Sequence, residues 1–348
     1  MGQIRFPETE IQQCVIHRVG NKNNDEGVIL SDITTNLTPE LRIALIKYFL
    51  QSFDGKEEAW NFTHEDDVRF NEISSYATEM FEGADFVDVS KKVARHLYES
   101  SVHPNIKGGE LFVVNLSNVV YEGKSVAALG LFKSETKDTF LRFVSKNNNL
   151  EVENEIGANV NRLDKGCIIL NHTDEKGYYV FTLDSSNRTD AKYWTGDFLG
   201  ITPRQNEFTY TKDVLSMTKD FVAKVLPSEY PVSKAEQVEL LNKSVNYFKG
   251  NESFSMQSYE EQVLGDEKLI DSFHRHKESY EQEREVELKD VFAISDNAVK
   301  KQERRMKSVI KLDKNFHIYV HGGEQLIEQS YDEERGMKCY KLYFREER

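Results

Sequence analysis

The 348-residue sequence is poor in the features that would send it out of the cell or into a membrane. No run approaches the 18 or so consecutive apolar residues of a transmembrane helix. The opening MGQIRFPETEIQQ lacks the apolar core of a secretory signal, and Phe6 stands where a myristoylation signal needs Ser or Thr, so export and lipid anchoring are not expected. Six prolines and no Gly/Ser tract argue against a long flexible linker. The three cysteines, Cys14, Cys167 and Cys339, are too far apart for a metal or redox motif and fit a reducing cytoplasm. Disorder is excluded by 21 Phe, 16 Tyr and 39% hydrophobic residues.

What is present is length and acid. The length predicts two domains, placed at 1–204 and 205–348. Net charge is −14, from 45 Lys and Arg against 59 Asp and Glu, and the two parts carry −9 and −5. Neither part is a basic domain, so a nucleic-acid site has to be a local patch on an acidic body.

The first part reads as an α+β domain, an antiparallel sheet with packed helices. Segments 11–19 and 27–33 predict a hairpin. Thr38-Pro39 opens a helix, with Thr38 as N-cap and Leu41, Leu45, Ile46 and Phe49 on its buried face. A helical stretch from Ile73 to Ser100 is expected to break near Gly83. Strands follow at 110–120, 124–133, 138–145, 150–155, 166–171 and 177–184. Leu111, Val113, Val126, Ala128, Leu129 and Phe132 are expected at the domain's centre. The second part turns helical: 208–226, ending before Pro227; a helix opened by the capping box Ser233–Glu236 and carried by Val238, Leu241, Val245 and Phe248; then 256–264, 266–284 and 295–308. A small C-terminal sheet is expected from 309–312, 315–321, 325–331 and 338–344.

Most chemical motifs fail on spacing. Gly123-Lys124-Ser125 resembles the end of a phosphate loop, but Asn118 stands where the motif needs Gly and a strand follows instead of a helix. His274 and His276 diverge on a helix, and His317 and His321 flank Tyr319 on a strand; neither pair makes a closed zinc set. No nucleophile elbow or metalloprotease helix is present. The expectation is a chain with no metal, no cofactor and no enzymatic activity.

The informative stretch is Val299–Lys314, seven cations against Glu303 and Asp313. Lys300, Arg304 and Lys307 are expected on one side of a helix, with Lys301 and Arg305 alongside and Lys311 beyond. Such a stripe could follow a phosphate backbone, gaining entropy from released counterions. Lys91, Lys92 and Arg95 form a second, smaller candidate. The competing reading is neutralisation: residues 278–290 hold six carboxylates and two cations and could cover the stripe within the fold or across a homo-oligomer.

Several segments taken in order resemble the bacterial nucleoid-associated protein family of the NdpA/YejK type. They are the Ile16-His17 strand, Gly109–Val114 with the Val126–Phe132 strand, Asp197-Phe198-Leu199-Gly200, and Lys311–Tyr319 with His321-Gly322-Gly323. The resemblance spans nearly the whole chain. It implies a cytoplasmic, chromosome-associated protein without established enzymatic activity. Family members tend to be more basic before the Asp-Phe-Leu-Gly stretch; here Asp184, Asp190 and Asp197 accompany Arg188 and Lys192, so no contact is transferred there. The sequence therefore predicts non-specific binding of double-stranded DNA. The alternatives are an adaptor that meets other nucleoid proteins or a topoisomerase without touching DNA, and an unrecognised nuclease or phosphodiesterase.

Overall fold

The computed structural model describes residues 2–185, 193–284, 286–306, 308–312, 314–320 and 327–346. Contacts divide the chain into two units, Met1–Arg204 and Gln205–Arg348. The architecture is α+β.

The first unit is built on strands β1 (Ile4–Arg5), β2 (Glu10–Val19), β3 (Val28–Ile29), β4 (Trp60–Phe62), β5 (Gly109–Tyr121), β6 (Lys124–Ser134), β7 (Asp138–Lys146), β8 (Asn149–Gly157), β9 (Lys165–Asp174), β10 (Gly177–Asp184) and β11 (Ile201–Pro203). Nine of them form one antiparallel sheet in the order β11-β4-β10-β9-β6-β5-β2-β3, with β1 beside β5. Helices α1 (Pro39–Leu50), α2 (Glu72–Phe81) and α3 (Phe86–Glu99) cover it. Both faces of the central strands are buried. Val113, Leu131, Cys167 and Ile169 pack with Ile73, Val93 and Leu97 of α2 and α3, while Val114, Phe132, Ile168 and Phe181 pack with Leu45 and Phe49 of α1. This explains the near-continuous apolar runs Leu111–Val114, Ala128–Phe132 and Cys167–Leu170: a strand covered on both sides has no reason to alternate. Phe132 stacks on Phe49 with ring centroids 4.3 Å apart.

Local chemistry sets the ends of these elements. Thr38 caps α1 by accepting from the Leu41 amide, with Pro39 in the first turn. Glu122-Gly123 and Asn147-Asn148 both take positive φ at two successive residues, which gives a hairpin turn the twist of its strands. Gly123-Lys124-Ser125 is thus the exit of a hairpin turn, with Lys124 paired to Tyr121. The Ile73–Ser100 stretch splits into α2 and α3 around Gly83, at φ 92°.

Two expectations need correction here. Leu41 does not share the buried face of α1; it is exposed, as is Ile43, while Leu45, Tyr48, Phe49 and Leu50 are buried. And β7 and β8 do not join the sheet. They pair only with each other, and β6 passes directly to β9, leaving the hairpin's apolar side chains uncovered among the described residues.

The second unit holds α4 (Glu207–Asp220), α5 (Leu226–Glu229), α6 (Lys234–Gly250), α7 (Met256–Tyr259), α8 (Glu267–Arg284) and α9 (Asp296–Arg305), with β12 (Ser253–Ser255) paired to β13 (Val291–Ala293). Its core is aromatic: Phe248 stacks on Phe254 and Phe254 on Phe292, at 5.2 and 4.8 Å. The capping box at Ser233 forms in both directions, with Ser233 Oγ accepting from the Glu236 amide and Glu236 accepting from the Ser233 amide. The helix expected to end before Pro227 instead continues to Glu229. A wide π turn over Phe221–Val225 precedes α5, and Pro227 falls in its first turn, where a missing amide is tolerated. Strands β14 (Ser308–Leu312), β15 (Phe316–Val320), β16 (Ile327–Asp332) and β17 (Met337–Leu342) form two separate hairpins rather than one C-terminal sheet. Ile310 closes a small core with Val238 of α6.

Candidate nucleic-acid interface

Helix α9 owes its position to its apolar side. Ser295 caps it by accepting from the Ala298 amide, and the Ser295 amide in turn donates to Thr211 Oγ1 of α4 at 3.0 Å. Ala298, Val299 and Gln302, with Met306 at the C-cap, are buried. At 100° per residue these leave Lys300, Lys301, Arg304 and Arg305 on an outward arc of roughly 140°, and all four are exposed. Arg304 and Arg305 lie in the last turn, where positive charge is favoured by the helix dipole.

Neutralisation of the stripe within the fold is not seen among the described residues. Asp290 pairs with Lys277 at 3.0 Å, Glu287 with Lys289 at 2.7 Å, and Glu281 accepts from the Leu288 amide at 2.8 Å. These three carboxylates are satisfied by groups on or beside their own segment. Glu303, the helix's one mid-segment acid, turns away to Lys249 at 2.7 Å. Among the described residues no ion pair involves Lys300, Lys301, Arg304 or Arg305. Lys301 does lay its ammonium 4.9 Å from the centre of the buried Phe208 ring, which steadies its stem along α4.

The stripe is shorter than expected. The helix ends at Arg305 rather than 308, capped by Met306. Lys307 lies outside the described residues. The Lys311 backbone sits opposite His317 in the β14–β15 ladder.

The second candidate is largely neutralised. On α3, Lys91 meets Asp32 at 2.8 Å and Asp88 at 3.6 Å, and Lys92 meets Glu79 at 2.6 Å. Only Arg95 of the three stands exposed without an ion pair among the described residues. His274 and His276 do not converge. His274 pairs with Glu260 at 3.0 Å while His276 lies against Phe221, His317 is exposed, and His321 is outside the described residues. No group of three or more metal-ligating side chains gathers among the described residues.

Two buried polar constellations went unrecognised in the sequence. His17 Nε2 lies 2.9 Å from Ser90 Oγ, a pairing that resembles a nucleophile and its base. Its geometry argues against that role. His17 Nδ1 accepts from the Ser31 amide, so the proton of the neutral ring sits on Nε2 and is given to Ser90, whose hydroxyl is 2.7 Å from the Val87 carbonyl. The imidazole has no free lone pair to take a proton from the serine, and both side chains are buried. Burial, then the nearby Lys91 and Arg95 charges, push the His17 pKa down to about 4. The second constellation ties the ends of the sheet strands. Lys133 reaches the Lys107 carbonyl at 2.7 Å, Glu135 at 2.9 Å and Tyr193 Oη at 3.2 Å, and Lys165 meets Asp184 at 2.8 Å. Both ammonium groups lie over the Tyr193 ring, at 5.5 and 5.0 Å. Widely separated lysines and acids give no local signal for such a cluster.

The Asp197–Gly200 stretch is likewise structural. A π turn over Tyr193–Phe198 leads to Gly200 at φ 57°, and a Cβ there would fall 2.4 Å from Asn71 Nδ2. That amide donates to the carbonyls of Thr63, Leu199 and Gly200, while His96 of α3 and its C-cap Ser100 hold the Phe198 and Asp197 carbonyls.

No helix among the described residues is long and apolar enough to cross a membrane. No curated protein matches the chain. The family model of the nucleoid-associated protein YejK matches residues 15–336, from the His17 strand through the α9 helix and into the last hairpin. The chain belongs to the nucleoid-associated protein YejK family.

Proposed function

We propose that the protein associates with the nucleoid by binding duplex DNA with little sequence preference, using the outward face of α9. The observation that carries this reading is the contrast in pairing. Many cations among the described residues, Lys91, Lys92 and Lys249 among them, have carboxylate partners, whereas Lys300, Lys301, Arg304 and Arg305 are exposed together on one helix with none among the described residues. An unpaired cluster gives up no internal ion pair when it meets phosphate. Lys311 is a secondary candidate in the same reading, and Arg95, on the first unit, is a separate one. A one-sided row of four cations on a helix that buries its other face contacts phosphates and does not read base edges. The acidic body repels the duplex beyond the patch, so association is weak and reversible. The protein acts in the cytoplasm, on the nucleoid, without enzymatic activity.

Binding of purified protein to several unrelated duplexes tests this. Affinities within about threefold of one another support it. The adaptor reading, favoured by the net charge of −14, predicts no binding until a basic nucleoid protein or a topoisomerase is added, and that outcome would replace direct contact.

A further inference from the structure

We propose that the β7–β8 hairpin is a self-association surface, its apolar face packing on the same face of a second copy about a two-fold axis. The register puts Thr139 opposite Ile156, Leu141 opposite Asn154, Phe143 opposite Val152 and Ser145 opposite Leu150, so these eight residues share one face. Five are large and apolar, and they are bare: Leu141 is 65% exposed, Phe143 68%, Leu150 79%, Val152 60% and Ile156 73%. The opposite face carries the hairpin's charges beside Phe140 and Val144, and they are satisfied internally, with Arg142 on Glu155 at 2.8 Å and Lys146 on Glu153 and Glu151 at 2.8 and 3.2 Å. A two-stranded hairpin is marginal by itself and is normally completed by packing against something.

Three observations select a second copy as the occupant. First, the face carries no charge, so two copies of an acidic chain can meet there without opposing like charges. Nucleic acid would find no cation on it. Second, the face is of the right size. The five side chains expose roughly 600 Å², near the ~800 Å² per partner of a standard interface. Third, the edges discourage the open-ended alternative. Glu151, Glu153 and Glu155 repeat along β8, so two β8 strands laid edge to edge would align carboxylates. Pairing β7 of one copy with β8 of the next would propagate rather than close. Face-to-face stacking closes after two copies.

The hairpin lies outside the sheet and outside α9, and oligomeric state is measured without DNA, so this inference and the DNA reading can fail separately. Sedimentation of the full chain from about 1 to 100 µM, with and without Phe143→Glu and Val152→Glu together, tests it. The expected result is a dimer for the wild type and a monomer for the variant, its dissociation constant raised at least about hundredfold. The far-UV circular dichroism should be unchanged, because both side chains project from the protomer. If the double variant fails to fold, Phe143→Ser serves in its place, with at least about tenfold weakening expected. A wild type that stays monomeric across the range, or a folded variant that dimerises as well as the wild type, would overturn the proposal.

Discussion

His17 and Lys133 show two ways in which an ionisable side chain is held inside the first unit. His17 is buried neutral, with its pKa down at about 4 against an ordinary value of 6.5. Between those values the unfolded chain binds a proton that the native one refuses, so the stability attached to this group is full above about pH 6.5 and is lost as pH falls towards 4. The loss is of order 3 kcal/mol at most. Replacing His17 with Gln should flatten the stability–pH curve over that window, read by urea denaturation at pH 7, 5.5 and 4.5; an unchanged curve would show that the imidazole is not buried neutral. Lys133 is buried charged, against Glu135. Burial lowers its pKa and Glu135 opposes that shift. Lys133→Met leaves Glu135 buried without its cation and should cost about 3–5 kcal/mol, while Lys133→Met with Glu135→Leu should recover much of it. A double variant no more stable than the single one would mean that the pair is not the unit.

At the scale of elements, legibility followed the range of the interaction that fixes each feature. Thr38-Pro39, the Ser233–Glu236 box and the Asn147-Asn148 turn are decided within four residues, and the sequence displays them directly. The exposed Leu41 and the excluded β7–β8 hairpin are decided by what lies across the fold. Leu141, Phe143, Val152 and Ile156 alternate as well as any half-buried strand, and alternation says that a face needs covering without saying what covers it. The candidate site follows the same division. A cationic helix was visible in Lys300–Arg305, but its end at Arg305 and its lack of pairing with the described acids of 278–290 depend on packing and on partners distant in sequence. The central strands give the cleanest test of the sheet. Phe132 is fully buried and stacked on Phe49, so Phe132→Ala should cost about 3–5 kcal/mol in denaturant unfolding. A loss below about 0.5 kcal/mol would contradict the packing of α1 on this sheet.

At the scale of the whole molecule, a small cationic face stands on a chain of net charge −14. In the proposed function, charge of that sign would combine long-range repulsion with short-range attraction where α9 met phosphate. A dimer joined through the hairpins would carry two such faces, and a duplex reached by both would be held by avidity without any new contact. The most direct test is the salt dependence of duplex binding by the wild type and by the quadruple variant Lys300→Ala, Lys301→Ala, Arg304→Ala, Arg305→Ala. These side chains are outside the core, so the variant should melt like the wild type. Each phosphate contact contributes about 0.9 to the slope of log affinity against log salt. The account predicts a wild-type slope at least ~3 units steeper than the variant's, with weaker binding at every salt concentration. An unchanged slope and affinity in a folded variant would contradict it.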